Sequence, residues 1–181
     1  MTSRASFPRY AVGTVIAAMI LATAPAGPAA AQQTASAAKL IGKFGDWQAF
    51  EAGSGGSRVC FALSRPTQRL PETLKRDPAS LFITHRPGQG VKNEISMTVG
   101  FPMKDAQDAT VKIGTATFAM YTKNENAWVR NVTDEPGLLA AMRKGKAMTF
   151  VAVSKRGNKT TDNYSLAGLS DALDTISKSC K

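Results

Sequence analysis

Thiol and imidazole chemistry is nearly missing from this 181-residue chain, which has two cysteines and one histidine. A zinc site wants three or four His, Cys or carboxylate ligands, so no resident metal is expected. No Cys-x-x-Cys pair and no Gly-x-Ser-x-Gly elbow occurs, and Gly88-Gln89-Gly90 lacks the spacing of a phosphate loop. A serine or cysteine nucleophile needs a base beside it. The one imidazole, His85, shares the Leu81/Ile83 face of a short alternating segment, a place for partial burial. Acids are also scarce, 13 against 23 basic residues, and are scattered near turns and polar faces. Catalysis and cofactors are therefore not expected, and a hydrolase using paired carboxylates stands as the alternative. Long apolar runs are absent beyond the N-terminus, which excludes a polytopic membrane protein.

What the N-terminus does contain reads as an export signal. Arg4 and Arg9 stand in a segment without acids, residues 11–24 are apolar, and Ala29-Ala30-Ala31 follows. That order is a secretory signal peptide over residues 1–31. Its apolar run is about 14 residues, whereas spanning takes roughly 20. The first cysteine is Cys60, which excludes a lipoprotein signal, and Arg4 and Arg9 are not adjacent, which excludes a twin-arginine signal. Removing 31 of 181 residues leaves 150, a single-domain length. We expect a flexible leader over residues 32–42 and one domain over 43–181, in the periplasm or secreted, with outer-membrane association open. No transmembrane segment remains after cleavage. Cys60 and Cys180 make an even count in an oxidising compartment, so a disulfide between them is expected.

Along the mature chain, period-two alternation dominates. Residues 42–50 read as a first strand with Trp47 and Ala49 on one face and Phe44, Gln48 and Phe50 on the other. In residues 58–64, Val59, Phe61 and Leu63 share a face, so Cys60 points the other way with Ala62 and Ser64. Pairing with Cys180 then requires the C-terminal segment to cover that second face or reach round the sheet edge. Residues 65–80, with Pro66, Pro71 and Pro78, read as a long loop. Strands follow at 81–86 and at 94–101, where Ile95, Met97, Val99 and Phe101 alternate with polar residues. Short strands at 110–113 and 116–122 precede turn chemistry at 123–126, which predicts a hairpin with 127–130. Asp134-Glu135-Pro136 opens a helix carrying Leu138, Leu139 and Met142, and Gly145 ends it. Residues 147–153 read as a central strand and 160–166 as its neighbour. Ser170-Asp171 is expected to cap a last helix with Leu169, Ala172, Leu173 and Ile176 on one face. Eight or nine strands with two short helices make a mainly-β sandwich or barrel.

The mature chain has 21 basic and 13 acidic residues, a charge of +8. The excess gathers in Arg65, Arg69, Lys75 and Arg76, in Arg143, Lys144 and Lys146, and in Lys155, Arg156 and Lys159. The first and third groups fall in loops, where long cations extend into solvent. Such charge concentrates anionic polymers without defining a site. Arg65, Arg69, Lys155, Arg156 and Lys159 are the candidate contacts for an unknown envelope or host-surface partner, such as an anionic polymer. Export makes nucleic acid a poor partner, and a homo-oligomer paired through edge strands is a further alternative, the oligomeric state being open.

Several segments resemble the invasion-associated locus B family of exported alphaproteobacterial proteins. They are Phe44-Gly45-Asp46-Trp47, the strand at 58–64, Glu94-Ile95-Ser96-Met97-Thr98-Val99-Gly100, the helix at 138–145, Tyr164-Ser165-Leu166-Ala167-Gly168 and the terminal Cys180. The resemblance implies an immunoglobulin-like β-sandwich and a binding role at the cell envelope or host interface. It implies no catalytic residues. The chain departs from the family pattern in having no cysteine in residues 118–128.

Overall fold

Alternation decides which residues become strands here, and glycines decide where several of them turn. The computed structural model describes residues 37–181, so the expected signal peptide and residues 32–36 of the leader lie outside the described residues. The strands are β1 (Lys39–Phe44), β2 (Trp47–Ala52), β3 (Val59–Ser64), β4 (Gln68–Leu70), β5 (Ser80–Arg86) and β6 (Val91–Thr98). After them come β7 (Ala109–Ile113), β8 (Ala116–Lys123), β9 (Asn126–Val129), α1 (Glu135–Lys144), β10 (Ala147–Val153), β11 (Lys159–Ser165) and α2 (Leu169–Ser179). All eleven strands join one sheet in the order β1-β2-β3-β5-β6-β9-β8-β7-β10-β11-β4, and every pairing is antiparallel. The sheet folds over a common core. Trp47, Ala62, Ile83 and Met97 from one half share a buried cluster with Val111, Met148, Phe150 and Tyr164 from the other. The fold is thus mainly β and sandwich-like with two helices, one of them C-terminal. Its two halves are joined by a continuous ladder and are not separate sheets.

The period-two segments fall where their patterns predict. β6 buries Ile95 and Met97, with Val99 buried just beyond it. β3 buries Cys60, Ala62 and Ser64 and leaves Val59, Phe61 and Leu63 half-buried on the opposite face. β8 and β9 form the expected hairpin, with Tyr121 opposite Trp128. β10 lies between β7 and β11, as a near-continuous apolar run should. In α2, Leu169, Ala172, Leu173 and Ile176 are buried at i, i+3, i+4 and i+7, and the helix packs on β1, β2 and β3. Cys180 follows the helix and is bonded to Cys60. The C-terminal segment does cover the second face of β3, as an inward-pointing Cys60 requires.

Four expectations need correction. Residues 42–50 are not one strand: Gly45-Asp46 turns the chain, so Phe44 pairs with Trp47 across a hairpin and joins the core side instead of opposing it. Residues 39–42 are not leader but the first part of β1, which Phe50 and Glu51 of β2 hold by pairing with Leu40 and Lys39. The loop at 65–80 contains β4, only three residues long and bounded by Pro66 and Pro71, which pairs with β11 at the sheet's end. Ser170 and Asp171 do not cap α2; Gly168 at φ 91 precedes the helix, and Asp171 sits in its first turn, where a carboxylate favours the positive helix end.

Two of the sequence segments singled out above meet in space. The Trp47 indole N–H donates to the Ser165 carbonyl at 3.1 Å, and the Asp46 N–H donates to the Ala167 carbonyl at 3.4 Å. A Cβ on Gly168 would press into the Phe44 carbonyl. Gly168 therefore serves both a left-handed backbone and a close approach, which only glycine satisfies without strain. Gly168→Ala is expected to lower stability by roughly 2 kcal/mol, a melting shift of about 4–8 °C for a chain this size. Gly157, also left-handed at φ 86 but with open space around its Cα, is the control. In thermal melts Gly157→Ala should show the smaller loss, and equal losses would remove the close-approach argument.

Candidate functional site

A buried carboxylate anchors one end of the sandwich. Asp162 on β11 is 2% exposed, because alternation along β11 turns it inward with Thr160 and Tyr164. Its Oδ2 accepts from Arg69 Nε at 3.2 Å, and its Oδ1 accepts from Arg76 Nη1 at 2.8 Å. Arg69 also donates from Nη1 to the Asp77 carbonyl and from Nη2 to the Val99 carbonyl, both at 2.7 Å. A buried carboxylate is tolerable only when paired and hydrogen-bonded, and here two guanidiniums provide both. The network ties β4, the segment at 74–77 and the end of β6 to β11. Beside it lies Tyr164, whose hydroxyl has no hydrogen-bond partner. Burial, then the adjacent Asp162, pushes that phenol well above its usual range.

Arg76 and Asp77 of this network line an open cleft of about 490 Å³. Its walls are residues 74–77, residues 100–102 and the turn joining β10 to β11. The Asp77 N–H donates to the Gly100 carbonyl at 3.1 Å, and the Lys155 N–H donates to the Pro102 carbonyl at 2.9 Å, so backbone bonds hold the walls together. Gly100 takes φ 70, and a Cβ there would strike the Asp77 carbonyl. Four basic residues, Lys75, Arg76, Lys155 and Arg156, line the cleft against two acidic ones, Asp77 and Glu125. Lys155 and Asp105 stand 3.7 Å apart with side chains 70% and 79% exposed. A pair so exposed is worth about 0–1 kcal/mol, so Lys155 is free to meet another anion.

The structure divides the five candidate contacts. Lys155 and Arg156 share the cleft, and Lys159 is exposed on the same hairpin. Arg65 lies elsewhere, in a shallow depression with Lys43 and Asp46. Arg69 does not extend into solvent as a loop cation; it sits on β4 with its guanidinium held by Asp162 and two carbonyls. Arg76, from the same cluster, has a side chain 5% exposed for the same reason. Lys75 joins Lys155 and Arg156, a convergence across about 80 residues that spacing in sequence does not reveal.

His85 is 2% exposed, and its Nε2 lies 2.9 Å from Asn93 Oδ1. Burial pushes its imidazole below the usual range. Glu135 is shifted the other way, upward, chiefly by burial, although its Oε1 accepts from the Ile95 N–H at 2.7 Å. Glu135 joins α1 to β6, His85 joins β5 to β6, and neither lines the cleft. Among the described residues, no three His, Cys, Asp or Glu side chains converge as metal ligands would, and no helix is long and apolar enough to cross a membrane.

No curated protein and no solved structure is a significant match to this chain. The family model of Invasion associated locus B (IalB) protein matches residues 47–177, from the first residue of β2 into the last turns of α2. That span takes in the strand carrying Cys60, the buried Asp162 network, the cleft and the Trp47–Ser165 closure. With more than two thirds of its length matched, the chain belongs to the Invasion associated locus B (IalB) protein family, whose members are exported, invasion-associated envelope proteins.

Proposed function

We propose that this protein works in the periplasm or outside the cell by binding and not by catalysis, and that the basic cleft contacts an anionic polysaccharide of the envelope or host surface. One observation carries the reading: Lys75, Lys155 and Arg156 come from distant parts of the chain to one concave site, while neighbouring cations are neutralised by Asp162. A scattered surface charge that only keeps a protein soluble has no reason to converge this way. The concave shape and mixed lining suit a chain-like ligand whose charged groups are spaced apart.

The test is retention on a sulfated polysaccharide matrix across a salt gradient. Lys155→Glu combined with Arg156→Glu should weaken binding roughly tenfold at low salt, about 1.4 kcal/mol, and flatten the salt dependence. Arg65→Glu, outside the cleft, should change it less than about twofold. Equal losses from both variants would mean that net charge and not the cleft governs retention. Asp77 and Glu125 on the same lining are the carboxylates a hydrolase would use. Release of new reducing ends during the binding assay would therefore favour the enzyme.

A further inference from the structure

The outer face of one half of the sheet carries rings where a solvated face carries hydroxyls and amines. Phe50 on β2, Phe61 on β3 and Phe82 on β5 alternate with the buried Ala49, Cys60, Ala62, Leu81 and Ile83, so they point away from the core. Phe50 lies opposite Phe61, and the two stack with centroids 5.1 Å apart and planes at 15°. Phe61 and Phe82 meet edge-on at 6.0 Å. From Phe82 the cross-strand register runs to Ser96, then Trp128, then Tyr121, which is 45% exposed. Every strand from β2 to β8 in the sheet order except β6 contributes one ring. With strands about 4.8 Å apart, the line is about 24 Å long. The corresponding row on the other half reads Lys112, Thr149, Asn163 and Gln68, an ordinary solvated face.

Charge and shape say what fits this line. The ions bordering it are matched on the same face, Arg86 with Glu94 at 2.7 Å and Arg130 with Asp108, and the Arg130 guanidinium also stands 5.6 Å from the centre of the Tyr121 ring. An anionic ligand therefore gains little here, in contrast to the cleft. The rings run as a line across the strands, interrupted by the Ser96 hydroxyl and with the Gln48 amide at its β2 end, and Leu40, Val59 and Leu63 flank Phe50 and Phe61 on the same face. A sugar ring has an apolar C–H face and a rim of hydroxyls, so an extended chain of such rings stacks on aromatic side chains while its rim bonds to hydroxyl and amide groups. We infer that this face binds an uncharged glycan chain lying across the strands, at a site independent of the basic cleft.

Titration of the mature protein with N-acetylglucosamine hexamer, and separately with cellohexaose, tests this. Trp47 is fully buried, so a ligand-dependent change in tryptophan emission reports on Trp128. The expected result is a saturable emission change with at least one of the two oligosaccharides. Tyr121→Ala and Phe61→Ala, which keep Trp128, should weaken it about tenfold. Raising salt from about 0.05 to 0.5 M should alter it less than about twofold. The Lys155→Glu, Arg156→Glu protein should bind these glycans as the parent does, so loss of the cleft reading leaves this one standing. No saturable change with either glycan overturns the inference, as does binding that both ring variants leave intact in proteins with parental melting curves. Sedimentation as a dimer that Tyr121→Ala dissociates would also overturn it, by assigning the face to a second copy.

Discussion

Asp162→Ala is expected to destabilise the protein by about 3–5 kcal/mol, the range for removing one partner of a buried ion pair. The loss comes from what remains. Arg76 keeps a nearly buried guanidinium with no counterion, and Arg69 keeps its two carbonyl acceptors but loses its carboxylate. Thermal melting should fall by roughly 6–20 °C at 2–4 °C per kcal/mol. Asp162→Asn separates structure from charge, because it keeps an acceptor oxygen while raising the net charge by one. If net charge alone governed retention on an anionic matrix, this variant would bind more tightly. If the Asp162 network positions the segment at 74–77, the variant should bind more weakly despite its extra positive charge. Tighter binding with an unchanged melting curve would reduce the network to a passive feature.

That network also shows what the sequence can and cannot disclose. The strands at 58–64 and 94–101 are legible because alternation is local, and the last helix is legible because Leu169, Ala172, Leu173 and Ile176 repeat at the helical period. β4 is not legible: Gln68, Arg69 and Leu70 carry no pattern, and they become a strand because β11 pairs with them and Asp162 holds Arg69. The same long-range contact turns Arg69 and Arg76 from apparent surface cations into partners of a buried carboxylate, with side chains 20% and 5% exposed. The cleft follows from three loops meeting, so the basic clusters were visible and their convergence was not. In β3, alternation separates Phe61 from Cys60 but cannot say which face is inward, since both carry apolar groups. Cys60 held the clue, because a partner at Cys180 needs a helix on its side, which leaves Phe61 outside. Phe44 misled because the Gly45-Asp46 turn interrupts an otherwise continuous strand pattern.

Replacing both cysteines, Cys60→Ser with Cys180→Ser, is expected to lower stability by up to about 4–5 kcal/mol, the chain-entropy figure for a loop this long. The bridge closes 120 residues, so nearly the whole described domain lies inside the loop. Its removal frees the unfolded chain more than it disturbs the folded one, because α2 keeps its own apolar anchorage on β2 and β3. The variant should therefore retain native far-ultraviolet dichroism at 25 °C yet unfold at clearly lower urea, with a larger slope as the unfolded chain expands. Burial adds a kinetic consequence. Cys60 is fully buried and Cys180 is 8% exposed, so a thiol reductant reaches the sulfurs only when the end of α2 lifts. Reduction should be slow in native buffer and accelerate in sub-denaturing urea, which mass spectrometry of alkylated protein would follow. Rapid reduction without denaturant would show that α2 opens freely and that its four buried side chains do not hold it. Unfolding at the parental urea concentration would instead show that the unfolded chain is already compact enough for the crosslink to remove little entropy.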